Sequence, residues 1–125
     1  EGNSKAFEKE LIEIAKKLSN NVVVMDLAQR KQLHIAAVFA CNFSNQMFAI
    51  ADDLLAEKNI DFEILLPLIK QTIAKLAENK PKTVQTGPAK RNDKEVIDSH
   101  LNNITDQKAK EIYRLISNAI IEYND

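Results

Sequence analysis

The chain has 125 residues, a formal net charge of −1, 45% hydrophobic and 28% charged residues, values that predict one soluble globular domain. The near-zero charge gives no reason to expect nucleic acid or an anionic membrane as a partner. Glycine occurs only at Gly2 and Gly87, so neither a Gly-x-Gly-x-x-Gly turn nor a P-loop is present, which excludes a mononucleotide-binding half from this chain.

Cysteine usage and hydropathy favour a cytoplasmic location. The single cysteine, Cys41, cannot form an internal disulfide, as is usual in a reducing compartment. No basic and then apolar signal sequence opens the chain. The longest apolar stretch, residues 33–51, is interrupted by His34, Asn42, Asn45 and Gln46. We therefore expect a cytoplasmic chain without a membrane span.

The first predicted element is an amphipathic helix with Ser4, or alternatively Asn3, as its N-cap. Its apolar residues recur at helical spacing: Phe7, Leu11, Ile14, Ala15 and Leu18. The β-branched run "NVVVMD" follows at residues 21–26. A single strand has no partner elsewhere in this sequence, so the run either pairs outside the domain or is an extended connector.

Residues 27–58 contain neither proline nor glycine and predict one long helix. At about 100° per residue, its large apolar side chains share one side: Phe39, Phe43, Met47, Ile50 and Leu54. The opposite side carries His34, Val38, Cys41, Asn45 and Asp52, with Asn42 about 80° from His34. A helix that is apolar on most sides is covered by other elements, so we predict a central helix with Cys41 as a buried, inert thiol.

The rest of the chain is also predicted to be helical. Asp61 is the expected N-cap of the next helix, and Pro67 predicts a kink or two short helices that meet there. After a loop at residues 80–91, Asn92 and Glu95 form an Asn-x-x-Glu capping box, and the last helix begins near Thr105. The predicted fold class is all-α, with about five helices around the long central one.

Polar residues on the long helix and in the loop are the candidate site. His34 and Asn42 either face a ligand cleft or are satisfied by neighbouring backbone groups. Gly87 allows a positive φ, Pro88 stiffens the loop, and Arg91 lies before a helix N-terminus that favours an anion.

The alternative for this loop is structural, with Arg91 paired to Asp93 beside a simple helix cap. His100, seven residues after Asp93, is either a second ligand-facing imidazole or an ordinary interface histidine. The two histidines and one cysteine lack the spacing of ligands, so no metal site is predicted.

Three segments together resemble a known family: "LHIAAVFACNFSNQMFAIADDLL", "FEILLPLIKQTIAK" and "TGPAKRNDKEVIDSHL". They resemble the C-terminal domain of a bacterial family of Rossmann-like proteins that are assigned as NADP oxidoreductases and carry a C-terminal domain of unknown function. The resemblance covers nearly the whole chain. The family is similar in plan to pyrroline-5-carboxylate reductase, ketopantoate reductase and 6-phosphogluconate dehydrogenase.

The resemblance implies that residues 1–125 are one helical C-terminal domain, like that of 6-phosphogluconate dehydrogenase, without the N-terminal Rossmann domain that binds NADP. It also implies a substrate cleft, formed by His34, Asn42, Thr86, Gly87, Pro88, Arg91, Asp93 and His100. In this cleft His34 is the candidate for proton transfer, Asn42 for orienting a carbonyl or amide, and Arg91 for holding a carboxylate or phosphate.

The expected function is therefore the substrate-binding and dimerisation domain of an NAD(P)-dependent oxidoreductase, with a small-molecule substrate and a homodimeric state. The chain alone is expected to have no dehydrogenase activity and no cofactor. One alternative is a non-enzymatic helical domain that senses a metabolite or acts as a scaffold; another is an independent protein–protein module. The substrate, the reaction and the choice between NADP and NAD are left open by the sequence.

Overall fold

The computed structural model describes residues 4–123 and is all-α, as predicted, with no strand in that range. Its five α-helices are α1 (Lys5–Leu18), α2 (Leu27–Ala56), α3 (Leu66–Lys75), α4 (Lys94–Asn103) and α5 (Gln107–Glu122). The chain forms two compact units, Glu1–Ser44 (unit 1) and Asn45–Asp125 (unit 2). The organisation of residues 1–125 as a single domain stays a prediction.

Unit 1 begins with α1, whose start matches the prediction. The Oγ of Ser4 accepts a hydrogen bond from the backbone N–H of Phe7 at 3.3 Å. The apolar face of this helix is exposed, with Ile14 50% and Leu18 84% accessible. Residues 21–26 form a connector without regular structure. The apolar face of α1 is therefore not buried within the described part of the chain.

Helix α2 starts at a capping box in which Asp26 and Gln29 bond each other's backbone N–H groups. The Oδ1 of Asp26 accepts from Gln29 N at 2.8 Å, and the Oε1 of Gln29 accepts from Asp26 N at 2.9 Å. The helix ends at Ala56 and is followed by a turn that includes Asn59, whose φ of 55° lies in the left-handed region. The N–H of Ile60 then bonds the carbonyl of Leu55 at 3.1 Å, as in a Schellman motif.

The predicted long helix is confirmed, but its middle is not regular. Residues Val38–Phe43 are π-helical, between α-helical segments Leu27–Ala37 and Ser44–Ala56. The wider turn changes the angular register, so the side chains on the two sides of it do not follow one 100° wheel. By length and composition alone, α2 also meets the requirement for a membrane-spanning helix, a test that core helices of soluble proteins pass as well.

In unit 2, the end of α2 is followed by the two short helices expected at Pro67. A 3₁₀ turn (Phe62–Leu65) is capped by Asp61, whose Oδ1 accepts from Glu63 N at 2.9 Å. Helix α3 follows, with Pro67 in its first turn, where a missing N–H costs nothing. The predicted Asp61 cap and the break at Pro67 are both confirmed.

The start of α4 corrects the sequence prediction. Asn92 is not the N-cap: its φ of 50° is left-handed, and it ends the 3₁₀ turn Ala89–Arg91. The cap is Asp93, whose Oδ1 accepts from Val96 N at 3.3 Å. Asn92 and Asp93 are both residue types that favour the N-cap position. Because Asn92 adopts the left-handed conformation, Asp93 caps the helix.

The buried centre of unit 2 lies where the loop before α4 meets α5. Ala89 and Ala109 are each 7% exposed and Ser117 is 8% exposed. Helix α5 is fixed at its start by Asp106, whose Oδ1 accepts from Ala109 N at 2.6 Å. Small side chains at this contact allow the 3₁₀ turn and the helix to approach closely.

Candidate functional site

A concave apolar cavity of about 320 Å³ lies within unit 2. The last turns of α2, the loop before α4 and one face of α5 enclose it. Ala89 and Ala109 are buried among its lining residues, and aliphatic side chains such as Ile50, Ile112 and Ile120 supply most of the remaining surface. Its volume falls in the range of small-molecule pockets, roughly 300–1,000 Å³.

The loop residues Thr86, Gly87 and Pro88 line this cavity, as three of the predicted site residues. Gly87 has a φ of 104°, a conformation that side-chain-bearing residues rarely adopt. No heavy atom lies within 4 Å of the position that a Cβ would take there. Glycine is therefore required by the backbone turn and not by close packing. The turn is held by the carbonyl of Pro88, which accepts from Asp93 N at 2.9 Å.

Beside the loop, His100 and Tyr113 form a hydrogen-bonded pair. His100 Nδ1 and Tyr113 Oη are 2.8 Å apart, and the rings meet edge-on with centroids 5.8 Å apart. Tyr113 lines the cavity, whereas His100 lies on α4 just outside its lining. The predicted His100 is thus linked to the same site as the loop, through a tyrosine that sequence reasoning missed.

Arg91 and Asp93 form the ion pair that the structural alternative for this loop predicted. A nitrogen of the Arg91 guanidinium lies 3.8 Å from Asp93 Oδ2, and the Arg91 side chain is 65% exposed. Neither residue lines the cavity. An exposed pair at this distance contributes little to stability. The proposed role of Arg91 toward an anionic group stays a prediction.

His34 and Asn42 lie on α2 in unit 1, and both are exposed. Asn42 belongs to the π-helical turn, a feature frequently found at functional sites. Cys41, predicted to be buried, is in fact exposed in the same turn. The prediction that His34 and Asn42 share a cleft with Thr86, Gly87 and Pro88 is not tested by the geometry within either unit.

The described residues supply hydroxyl groups and an imidazole, but no group of three or more metal-ligating side chains occurs among residues 4–123. The chain offers no glycine-rich phosphate turn, so the residues present do not fit a complete dinucleotide site. The described residues are thus helical and enclose, within unit 2, an apolar cavity with the volume of a small-molecule pocket.

The chain belongs to a protein family whose function is not described. Residues 1–120 match the family described as a domain of unknown function, DUF2520, and the chain is a member of it. A comparison with curated proteins finds no matching relative. The predicted similarity in plan to pyrroline-5-carboxylate reductase and its relatives stays a prediction.

A solved structure with the same fold comes from Bacteroides fragilis and is described as that of a "putative NADP oxidoreductase". The sequences are 47% identical, with a TM-score of 0.92. The match covers 98% of this chain but 48% of that one. The chain therefore spans about half the length of this relative.

Proposed function

We propose that this chain is the substrate-binding and dimerisation half of a cytoplasmic NADP-dependent oxidoreductase, whose other half binds the cofactor. The observation that carries the proposal is the match over 98% of this chain and only 48% of a relative described as a "putative NADP oxidoreductase". The composition supports it. A chain with two glycines lacks the glycine-rich phosphate-binding turn, so an NADP-dependent protein would carry that turn in its other half.

The proposed chemistry assigns each predicted residue a role in a cleft closed by the cofactor half. His34 transfers a proton at neutral pH, and Asn42 orients a carbonyl or amide by hydrogen bonds. Arg91 holds a substrate carboxylate or a cofactor phosphate. Its exposure and its loose contact with Asp93, at 3.8 Å, leave the guanidinium accessible for this. Thr86, Gly87 and Pro88, with His100 beyond them, shape the loop side of the cleft.

The test is an NADPH titration of the full-length native protein, followed by fluorescence, with NADH as the comparison. We expect micromolar binding of NADPH by the full-length protein and none by residues 1–125 alone. Binding would justify a screen of acids and imines as substrates. Absence of binding to either nucleotide would overturn the proposal and favour a metabolite-sensing or scaffold domain.

The role of His34 is tested in the same protein once turnover is found. His34→Ala should lower kcat by roughly 100- to 10,000-fold, the usual contribution of general acid–base catalysis. Lys31→Ala, an exposed change on the same helix, is the control and should leave kcat unchanged. Unaltered turnover in His34→Ala would remove the acid–base role, whereas NADPH binding would still support the cofactor half of the proposal.

A further inference from the structure

The unit 2 cavity has a mostly apolar lining that includes a few hydroxyl groups. None of its lining residues carries a charge, and three of them have hydroxyl groups: Thr86, Tyr113 and Ser117. Ser117 is 8% exposed, so its hydroxyl is part of the buried wall. Such a site suits a neutral molecule, because a charged one would lose its hydration without gaining an ion pair.

One of these hydroxyl groups, on Tyr113, is held by His100. The 2.8 Å contact between Tyr113 Oη and His100 Nδ1 fixes the phenol at the cavity wall. When Nδ1–H donates to the phenol oxygen, the phenol O–H is left to donate to a ligand oxygen; in the other tautomer, the phenol oxygen still has lone pairs that accept. In the first state the phenol can donate to a carbonyl or a hydroxyl oxygen, whereas in the second it can only accept, from a hydroxyl group.

We propose that this cavity binds a neutral molecule composed of a compact apolar part, aromatic or branched aliphatic, and one carbonyl or hydroxyl oxygen that bonds to Tyr113. The apolar part lies over Ala89 and Ala109, and the oxygen lies beside Tyr113. Binding of this molecule requires no cofactor and goes beyond the proposed function, in which Arg91 holds an anionic group outside the lining of this cavity.

The small side chains in the cavity lining determine how large the apolar part of the ligand can be. Ala89 and Ala109 are buried at 7% exposure, and a longer side chain at either position would occupy the space beside the loop. Gly87 adds no side chain to the wall, and the space around its missing Cβ is open. A single ring or a branched chain therefore fits a volume of about 320 Å³ better than a polar, extended molecule.

The test uses two probes of matched shape, acetophenone and ethylbenzene, titrated into the 125-residue chain and followed by amide chemical shifts in NMR. Both probes should shift the amides of Ala89, Ala109 and Ser117. Acetophenone should bind roughly two- to tenfold more tightly, because one net hydrogen bond contributes that much.

Two pairs of variants test whether the probes bind in this cavity and whether Tyr113 causes the preference for acetophenone. Tyr113→Phe should abolish the preference for acetophenone while ethylbenzene still binds, and Tyr123→Phe, at the chain's other tyrosine, should keep the preference. Thr86→Trp, at an exposed lining position, should block both probes, whereas Thr72→Trp on α3 should not.

The inference is overturned if the shifts lie outside the cavity, if Tyr113→Phe behaves like Tyr123→Phe, or if a second copy of the chain fills the cavity and excludes both probes. These outcomes are independent of NADPH binding by the full-length protein. A chain that binds the probes in a protein that does not bind NADPH would support the cavity and overturn only the oxidoreductase function.

Discussion

Asp93 controls the beginning of α4, immediately after the loop that lines the cavity. Its Oδ1 accepts a hydrogen bond from Val96 N, and its own N–H is held by the carbonyl of Pro88. Asp93→Ala should lower the free energy of unfolding by about 0.5–2 kcal/mol, the cost of a lost N-cap. Urea denaturation followed by circular dichroism measures this change.

The control separates the cap from the ion pair that Asp93 also makes. Arg91→Gln removes the 3.8 Å contact but keeps the cap, so its effect should be within about 0.5 kcal/mol. Equal losses in Asp93→Ala and Arg91→Gln would show that the ion pair, not the cap, holds this turn.

Helix caps could be predicted from the sequence better than contacts between side chains on different helices. Ser4 and Asp61 were predicted correctly, because a capping side chain bonds a backbone N–H two or three residues away. Asn92 was predicted wrongly as a cap, since the left-handed turn that excludes it depends on the loop around it. The pair of His100 and Tyr113 spans 13 residues and two helices, so spacing within one element could not reveal it.

At the scale of elements, the helices were predictable and the irregular turn in α2 was not. Absence of proline and glycine and a sustained apolar pattern predict a long helix whatever its internal hydrogen bonding. The π-helical turn at Val38–Phe43 changes which carbonyls accept bonds without a specific residue signal. The five-helix pattern was therefore available from the sequence, but the orientation of Asn42 relative to the downstream part of α2 was not.

The contact of α5 with the loop before α4 is the packing element that positions the cavity. Ala109 is 7% exposed on α5 and lines the cavity, so a larger side chain there has to displace the loop or enter the cavity. Ala109→Leu should lower the free energy of unfolding by about 1–3 kcal/mol, as overpacking does. The control is Ala74→Leu, on the exposed surface of α3, which should be nearly neutral in the same urea titration. Equal stability of the two variants would mean that the α5 contact is loose in solution.

At the scale of the whole molecule, exposed apolar surface argues for a partner. None of the described residues of α1 or α2 is buried, although α2 is apolar on most sides. Phe39 and Phe43 stack edge-on at 5.0 Å on α2 while remaining 65% and 49% exposed. Exposed apolar surface of this kind marks an interaction site. Within the proposed function, a second copy of the chain and the cofactor half cover it.

The proposed homodimer can be tested with matched substitutions at exposed apolar positions. The chain should have twice its 14.1 kDa mass by light scattering at high concentration. Phe39→Asp should weaken the dimer by about thirtyfold or more, since large aromatic residues dominate interfaces. Leu115→Asp, at a residue 71% exposed on α5, should leave it intact.

Cys41, exposed in the π-helical turn, should react with a thiol reagent more slowly in the dimer than in the dilute monomer. A monomer mass at all concentrations, or equal effects of the two substitutions, would mean that α2 is not the dimer surface and that the cofactor half alone covers it.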